Sequence, residues 1–177
     1  MSNLTQQNLK PLSNHAQNAS DRFVAKQGSC TIVEANESHI PLIAPHIRRE
    51  EVIEVACMNS TIEESLLKGL KQDDCTLTVK DKYDVPYAMF GVGQINNQAY
   101  IWMLSTDAVK DNMFDFVRYS RKWIQLLTKP YKTTYNFVHQ DNDLSVRWLK
   151  FCGAKFIRKV EINNQPFLEF IFISDNV

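Results

Sequence analysis

The sequence has little of several features that would place it in a special class. It contains no run of about 18 apolar residues, which argues against a membrane-spanning helix. Its first twenty residues lack the apolar segment of a signal peptide, so no signal peptide is expected. The four cysteines form no C-x-x-C pair, which favours reduced thiols in an intracellular protein. His39 and His46 also lack metal-ligand spacing, so no metal site is expected.

Net charge is absent as well, since lysine plus arginine and aspartate plus glutamate number 20 each. No overall charge therefore attracts the chain to nucleic acid or to anionic lipid. The distribution is uneven, however. Residues 110–160 carry eleven basic and four acidic side chains, whereas residues 34–84 carry eleven acidic and six basic ones. This asymmetry suggests a polarised surface that meets an acidic partner, and two ordinary solvated faces are the alternative.

The N-terminal segment differs in composition from the rest of the chain. Residues 1–22 are rich in Asn, Gln and Ser and contain no aromatic residue. Such a segment cannot bury enough apolar surface to offset the entropy lost on ordering. The sequence therefore predicts a flexible polar tail over residues 1–29, mobile to about residue 25, and one domain over residues 30–177.

The remainder alternates between the period of a strand and the period of a helix. The expected order is β-α-α-α-β-β-β-α-β-α-β-β, which predicts an α/β fold with a mixed sheet and flanking helices. Expected strands cover residues 30–34, 75–80, 85–95, 99–104, 133–138, 155–161 and 167–173. Expected helices cover residues 41–47, 50–58, 61–71, 106–128 and 143–151.

One motif near the C-terminus resembles a known family. After a strand, a long helix and a further strand, the chain reads Asn142-x-x-Ser145-x-x-Trp148-Leu149-x-x-x-Gly153. This resembles the N-x-x-A-x-x-L-Y-x-K-x-G-F motif of the GNAT N-acetyltransferases. The resemblance implies a GNAT-like α/β fold over residues 30–173, with two closing strands after the motif.

A narrower resemblance involves four other segments. Residues 85–88, 100–107, 135–138 and 146–156 are together similar to the gene-13-product-like internal virion proteins of short-tailed phages. That resemblance implies a morphogenesis protein of the virion and the host cytoplasm, with other virion or host proteins as partners. In such a protein the fold serves as a binding scaffold.

The chain departs from the GNAT pattern where the chemistry is expected. The family carries R/Q-x-x-G-x-G/A after its fourth strand, where backbone N–H groups bind the diphosphate of acetyl-CoA. Residues 105–112 contain no glycine and include Asp107 and Asp111, and Leu149 stands where the family has its proton-donating tyrosine. We therefore expect a catalytically degenerate scaffold with no cofactor and no catalytic residue, and the chain is more simply explained as a non-enzyme.

Two alternatives stay open. If the chain is an acetyltransferase that moves acetyl from acetyl-CoA to an amine, the resemblance implies a cofactor site at Leu104, Ser105, Thr106, Lys110 and Asn142. Weak candidates for proton transfer are then His139, which follows a strand, and Tyr119. The other alternative is an inhibitor that binds a host protein. Its binding face, like that for any acidic partner, would be the basic stripe Arg118, Arg121 and Lys122, spaced i, i+3, i+4 on the long helix.

Overall fold

A computed structural model of the chain describes residues 22–174. The strands within that range are β1 (Phe23–Gln27), β2 (Cys30–Glu34), β3 (Cys75–Lys80), β4 (Pro86–Ile95), β5 (Gln98–Ser105), β6 (Thr133–His139), β7 (Lys155–Ile162) and β8 (Gln165–Ile173). The α-helices are α1 (Ile40–Ile43), α2 (Arg49–Cys57), α3 (Ile62–Gln72), α4 (Ala108–Asp111), α5 (Met113–Thr128) and α6 (Asp143–Cys152). None of these helices combines the length and the apolar character needed to cross a membrane.

All eight of these strands form one mixed sheet in the order β1-β2-β3-β4-β5-β6-β8-β7. Every neighbouring pair is antiparallel except β5 and β6, which are parallel. Helices α1 and α3 pack on one face, where Met89 and Leu104 are buried, and α5 and α6 pack on the other, where Ile101 and Val138 are buried. The predicted α/β fold with a mixed sheet and flanking helices is confirmed.

Strand β1 lies inside the span that the sequence predicts as tail. It pairs antiparallel with β2 through a turn in which Gly28 has φ +62°. The Asp115 carboxylate of α5 accepts hydrogen bonds from the Ser29 N–H at 2.8 Å and from the Ser29 hydroxyl at 2.6 Å. The β1 segment is therefore held by the domain. The predicted mobility of residues 1–21 lies outside the described residues.

The helix expected over residues 106–128 is interrupted. It divides into the single turn α4 and the longer α5 at Asn112, whose backbone has φ −100° and ψ 11°. The Asn112 side-chain amide donates to the carbonyl of Ala108 at 2.9 Å, which satisfies an end carbonyl of α4 and terminates that turn. The unbroken helix was a wrong prediction.

Helix α2 turns its carboxylates inward. The apolar spacing of Val52, Ile53 and Val55 favours burial of those residues, but Val52 and Ile53 are 41% and 39% exposed while Glu51 is 2% exposed. Helix α2 contacts β6, so this orientation brings Glu51 and Glu54 to the middle of the sheet. Periodicity fails here because polar partners across the interface stabilise the buried carboxylates.

Candidate functional site

The sheet opens between its two parallel strands. Strands β5 and β6 pair only at Ala99–Thr134 and Tyr100–Tyr135, although β5 continues to Ser105. Where the pairing stops, the Asn136 side-chain amide donates to the carbonyl of Ile101 at 2.8 Å. Beyond that bond the strands separate, and a gap remains in the centre of the sheet.

The backbone of Met103 faces this gap. The Ile101 carbonyl and the Ser105 N–H both lie on the β6-facing edge of β5, since they bond to Asn136 and to Glu51. Backbone groups along a strand alternate between its two edges. The N–H and the carbonyl of Met103 therefore point into the gap, where no strand of the described residues pairs with them.

Two clefts lie beside the gap. One, of about 400 Å³, is formed by α4, α5, α6 and β5, and we call it the α5 cleft. The other, of about 390 Å³, is formed by α2, α3, β5 and β6, and we call it the α2 cleft. Both clefts are lined by Met103, Ser145 and Trp148, so they adjoin at the gap. The α5 cleft also contains Arg48, Val109, Phe116, Arg147 and Phe151, and the α2 cleft contains Glu54, Tyr100, Trp102, Tyr135, Phe137 and Phe167.

A buried polar cluster joins the separated strands. Arg48 donates to Glu51 at 2.9 Å and, through its other terminal nitrogen, to the Asn142 side-chain oxygen at 3.0 Å. Glu51 in turn accepts from the N–H of Ser105 at 2.6 Å and from its hydroxyl at 3.0 Å. Asn142 donates to Glu54 Oε1 at 2.9 Å. The cluster thus ties α2 to the end of β5 and to the start of α6.

Burial raises the pKa values of both glutamates. The pKa of Glu51 is raised to about 7 by burial, although the Ser105 N–H and the Arg48 guanidinium act in the opposite direction. Burial also raises the pKa of Glu54, against the lowering effect of hydrogen bonds from Asn142 and from the His139 N–H, the latter at 2.9 Å. Both groups are therefore closer to exchanging a proton near neutral pH than an exposed glutamate is.

A dependence of stability on pH follows for Glu51. The folded chain holds the Glu51 proton up to about pH 7, whereas the unfolded chain loses it near its ordinary value of 4.5. The free energy of unfolding should therefore fall between these pH values, by up to about 1.4 kcal/mol per pH unit from this group. Urea unfolding of Glu51→Gln should lack this part of the slope. Parallel profiles for the variant and the parent protein would contradict the assignment.

Two buried donors at the gap have no hydrogen-bond partner among the described residues. They are the Nε of Arg48 and the indole Nε1 of Trp148. An unpaired buried donor costs about 1–3 kcal/mol, so native proteins seldom keep one without a reason. Both side chains line the α5 cleft, and the two nitrogen atoms themselves are buried from solvent.

The structure places three of the predicted cofactor residues, Leu104, Ser105 and Asn142, at the same gap, but most of their polar groups and those of Thr106 are already bonded. The Ser105 N–H donates to Glu51, and the Thr106 N–H donates to the Tyr87 carbonyl at 2.8 Å. Leu104 is buried and pairs with Met89 of β4. Asn142 belongs to the buried cluster, where its oxygen also accepts from the Ser145 N–H at 3.3 Å. Free backbone groups are thus offered by Met103, which the sequence analysis did not name.

Lys110 does not face a cleft. Its ammonium lies 2.6 Å from the Asp107 carboxylate, and both side chains are more than half exposed. Neither residue lines the α2 or the α5 cleft. The negative charge of Asp107 is therefore compensated by the neighbouring Lys110.

The two proton-transfer candidates lie away from the clefts. His139 is buried against Phe167, and its Nδ1 accepts from the Asp141 N–H at 3.2 Å, so only its backbone N–H reaches the cluster. Tyr119 lines an apolar cavity of about 90 Å³ between α5 and the sheet, whose wall also includes Met103 and Trp148. Neither residue lines the α2 or the α5 cleft. Among the described residues no group of three His, Cys, Asp or Glu side chains is arranged to hold a metal ion.

The basic stripe lies on the exposed side of α5. Arg118, Arg121 and Lys122 are all exposed, and Arg121 packs over the Phe151 ring and donates to the Phe151 carbonyl at 2.6 Å. Its contact with an acidic partner stays a prediction.

Besides Met103, the site residues that the sequence analysis missed include Glu51, Glu54 and the Trp148 indole. A signal was available for the glutamates, because Arg48, Glu51 and Glu54 are spaced three residues apart and so share a helical face. For Trp148 none was available, since an indole on an apolar stripe normally belongs to the core.

No family model matches the sequence, and no curated protein matches it. Solved structures do match. An acetyltransferase of the GNAT family from Bacillus anthracis has a TM-score of 0.64 at 8% identity, covering 87% of this chain and 99% of that one. Ribosomal-protein-S5-alanine acetyltransferase from Vibrio fischeri has a TM-score of 0.61 at 12% identity, with 88% and 98% covered. Aminoglycoside N(6')acetyltransferase from Legionella pneumophila has a TM-score of 0.59 at 13% identity, with 82% and 92% covered.

These similarities show that the chain has the GNAT acetyltransferase fold, which the motif at residues 142–153 predicts. The expectation of a phage internal virion protein with a catalytically degenerate scaffold is wrong. The solved structures that share the fold are acetyltransferases, which favours the acetyltransferase alternative. The expected lack of a cofactor was part of the same interpretation and loses its basis with it.

Proposed function

We propose that this protein is an N-acyltransferase that moves an acetyl group from acetyl-CoA to a small amine. The observation that carries the proposal is the gap between β5 and β6, with two clefts that share Met103, Ser145 and Trp148. Transfer of a group between two substrates needs a binding site for each substrate, and the two sites must meet where the atoms react. Two of the similar structures are named for amine-bearing acceptors, a protein alanine and an aminoglycoside, which supports an amine here. The narrower likeness to phage virion proteins gains no support.

The α5 cleft fits the acyl-CoA. Its apolar wall of Val109 and Phe116 suits the pantetheine chain, and the backbone of Met103 offers a donor and an acceptor to the amides of that chain. The Trp148 side chain lines both clefts, and its buried, unpaired indole N–H is the donor that we assign to the thioester carbonyl. Arg147, exposed and lining the same cleft, is the cation available to the phosphates. A side-chain cation thus replaces the glycine loop.

Glu54 is the residue suited to act as the base. Acetyl-CoA supplies a thioester whose acyl carbon forms a C–N bond with the amine while its C–S bond breaks. Glu54 takes the proton that the ammonium must lose before its nitrogen can attack. Its Oε1 already accepts from Asn142 and His139, which leaves Oε2 for that proton. The raised pKa strengthens Glu54 as a base.

The departing thiolate receives no proton from the position that the family motif assigns to this role. That position is Leu149, which is 5% exposed and part of the apolar core. Thiols ionise near pH 8.5, far below alcohols, so the thiolate is a tolerable leaving group. The nitrogen loses its second proton as the C–S bond breaks, and water carries that proton to the thiolate.

Calorimetric titration with acetyl-CoA and with CoA tests the cofactor site. We expect low-micromolar binding of acetyl-CoA, about −7 to −8 kcal/mol. Trp148→Phe should weaken acetyl-CoA binding about tenfold, the value of one hydrogen bond of about 1.4 kcal/mol. Binding of CoA, which has no thioester carbonyl, should be nearly unchanged in the variant.

Trp123→Phe is the matched control for this titration. Its indole donates to the Gln27 side chain at 2.6 Å, outside both clefts, so its loss should leave acetyl-CoA binding unchanged. Millimolar or undetectable binding of acetyl-CoA to the parent protein would contradict the proposed cofactor site. Equal effects of Trp148→Phe on both ligands would contradict only the contact with the thioester.

A further inference from the structure

We infer that the acceptor is a small primary amine with a single cationic group and an aromatic or branched apolar body, bound in the α2 cleft with its ammonium at Glu54. This inference rests on the proposed function and adds the chemical class of the acceptor. A cleft of about 390 Å³ is near the lower end of the range of about 300–1,000 Å³ for small-molecule sites. A small molecule therefore fits it better than a protein segment does.

One wall of the cleft is made of two braced aromatic rings. The Asp73 carboxylate accepts from the Tyr100 hydroxyl on one oxygen and from the Trp102 indole N–H on the other. Both rings are partly exposed and line the α2 cleft. A ring held at its polar tip by a carboxylate cannot rotate freely, so this wall is preorganised for a flat apolar surface.

Three of the five glycines make room for this wall. A Cβ at Gly69 would lie 2.4 Å from the Trp102 ring, and one at Gly91 would lie 3.1 Å from its indole nitrogen. A Cβ at Gly93 would lie 2.4 Å from an Asp73 oxygen. The sequence is poor in glycine, so this concentration around one pair of rings shows that their position is closely specified by the surrounding chain.

The opposite wall is also aromatic. Tyr135 and Phe137 of β6 line the cleft with their ring centroids 6.1 Å apart in an edge-to-face arrangement. From Phe137 to His139, whose N–H binds Glu54, the strand advances about 7 Å at 3.3 Å per residue. An amine at Glu54 with a body several carbon atoms long therefore reaches the space between the two walls.

The charges favour one ammonium rather than several. Glu51 is paired with Arg48, and both oxygens of Asp73 already accept a hydrogen bond. The Lys68 ammonium group also lines the cleft and opposes a second cation. Glu54 is thus the carboxylate suited to an ammonium.

The test compares three acceptors at saturating acetyl-CoA: 2-phenylethylamine, ethanolamine and spermidine. We expect kcat/KM for 2-phenylethylamine to exceed the values for the other two at least about tenfold. Gly69→Ala should displace the Trp102 ring, and Phe137→Ala should remove part of the other wall. Each should raise KM for 2-phenylethylamine about tenfold while leaving kcat/KM for ethanolamine within about twofold. Asp74→Asn, next to the brace but not lining the cleft, is the control and should change neither value.

A preference for spermidine or ethanolamine, or unchanged selectivity in both folded wall variants, would overturn the inferred acceptor class. Calorimetric titration of the protein with 2-phenylethylamine, without acetyl-CoA, shows whether the acceptor class is wrong or whether the protein is not a transferase. Binding that the wall variants weaken, with no acetylation of any amine, would support the acceptor class and contradict the transferase. Acetylation of hydrophilic amines with no binding of 2-phenylethylamine would support the transferase and contradict the acceptor class. Absence of both binding and acetylation would overturn both.

Discussion

Glu54→Gln is expected to lower kcat for amine acetylation by about 10²–10⁴-fold, the usual contribution of a general base. Glutamine has nearly the same shape, and its Oε1 can still accept from Asn142 and from the His139 N–H, so the fold should persist. What the variant loses is the oxygen that takes the proton. Acetyl-CoA affinity and the melting temperature should therefore change little.

The pH profile provides the readout that distinguishes a base from a structural residue. Because Glu54 acts when it is deprotonated, the parent activity should rise with pH through the pKa of Glu54, which burial places above 4.5. This rising limb of the pH–activity profile should be absent from Glu54→Gln. Glu63→Gln, on the exposed face of α3, is the control and should retain both the rate and the limb. A Glu54→Gln rate within about twofold of the parent would remove Glu54 from the mechanism.

Arg48→Met should have the largest effect on stability, about 3–5 kcal/mol in urea or guanidinium unfolding. The substitution leaves Glu51 buried without its cation, and it removes a donor from Asn142. The loss should be larger at pH 8 than at pH 5, because near pH 5 Glu51 is already protonated in the folded parent. The free energy of unfolding is measured for the variant and for the parent protein at both pH values.

The double variant Arg48→Met/Glu51→Leu separates the cost of an unpaired charge from the cost of lost packing. It removes the buried carboxylate together with its partner, so it should recover most of the stability that Arg48→Met loses. If the single variant loses less than about 1 kcal/mol, or if the double variant is no more stable than the single one, the buried pair does not join the strands as described.

The order of the elements was predictable because it depends on local chemistry. Paired asparagines at residues 96–97 and 163–164 adopt positive φ in the two hairpins, and Gly153 ends α6 with φ +97°. A capping box formed by Thr61 and Glu64 begins α3. Turn and cap residues act within a few positions of themselves, so the sequence alone reveals them.

The site was less predictable because it depends on contacts between distant segments. Glu51 bonds to Ser105 and Glu54 to Asn142, pairs that only the folded sheet brings together. Because of those contacts, the face of α2 that carries the glutamates is buried. The periodicity of the apolar residues alone therefore predicts the wrong buried face. Strand β1 was missed for a similar reason: its polar sequence is stabilised by pairing with β2 and by Asp115 of α5, not by its own apolar pattern.

The absence of a glycine loop is the feature that misled the functional interpretation. Absence of one known phosphate-binding device does not show that a cleft is absent. The α5 cleft persists beside α4 and α5, and its polar atoms come from Met103, Trp148 and Arg147. Function therefore has to be judged from the whole site rather than from one motif.

Amine-dependent release of CoA thiol from acetyl-CoA is the measurement that tests the proposed transfer most directly. The purified protein is incubated with acetyl-CoA with and without 2-phenylethylamine and ethanolamine, and the acetylated amine is identified by mass spectrometry. We predict one thiol released per acetylated amine, at a rate at least about 10³-fold above the buffer background and about 10²–10⁴-fold lower in Glu54→Gln. Thiol release at the background rate with every amine, together with no acetylated product, would contradict the transferase.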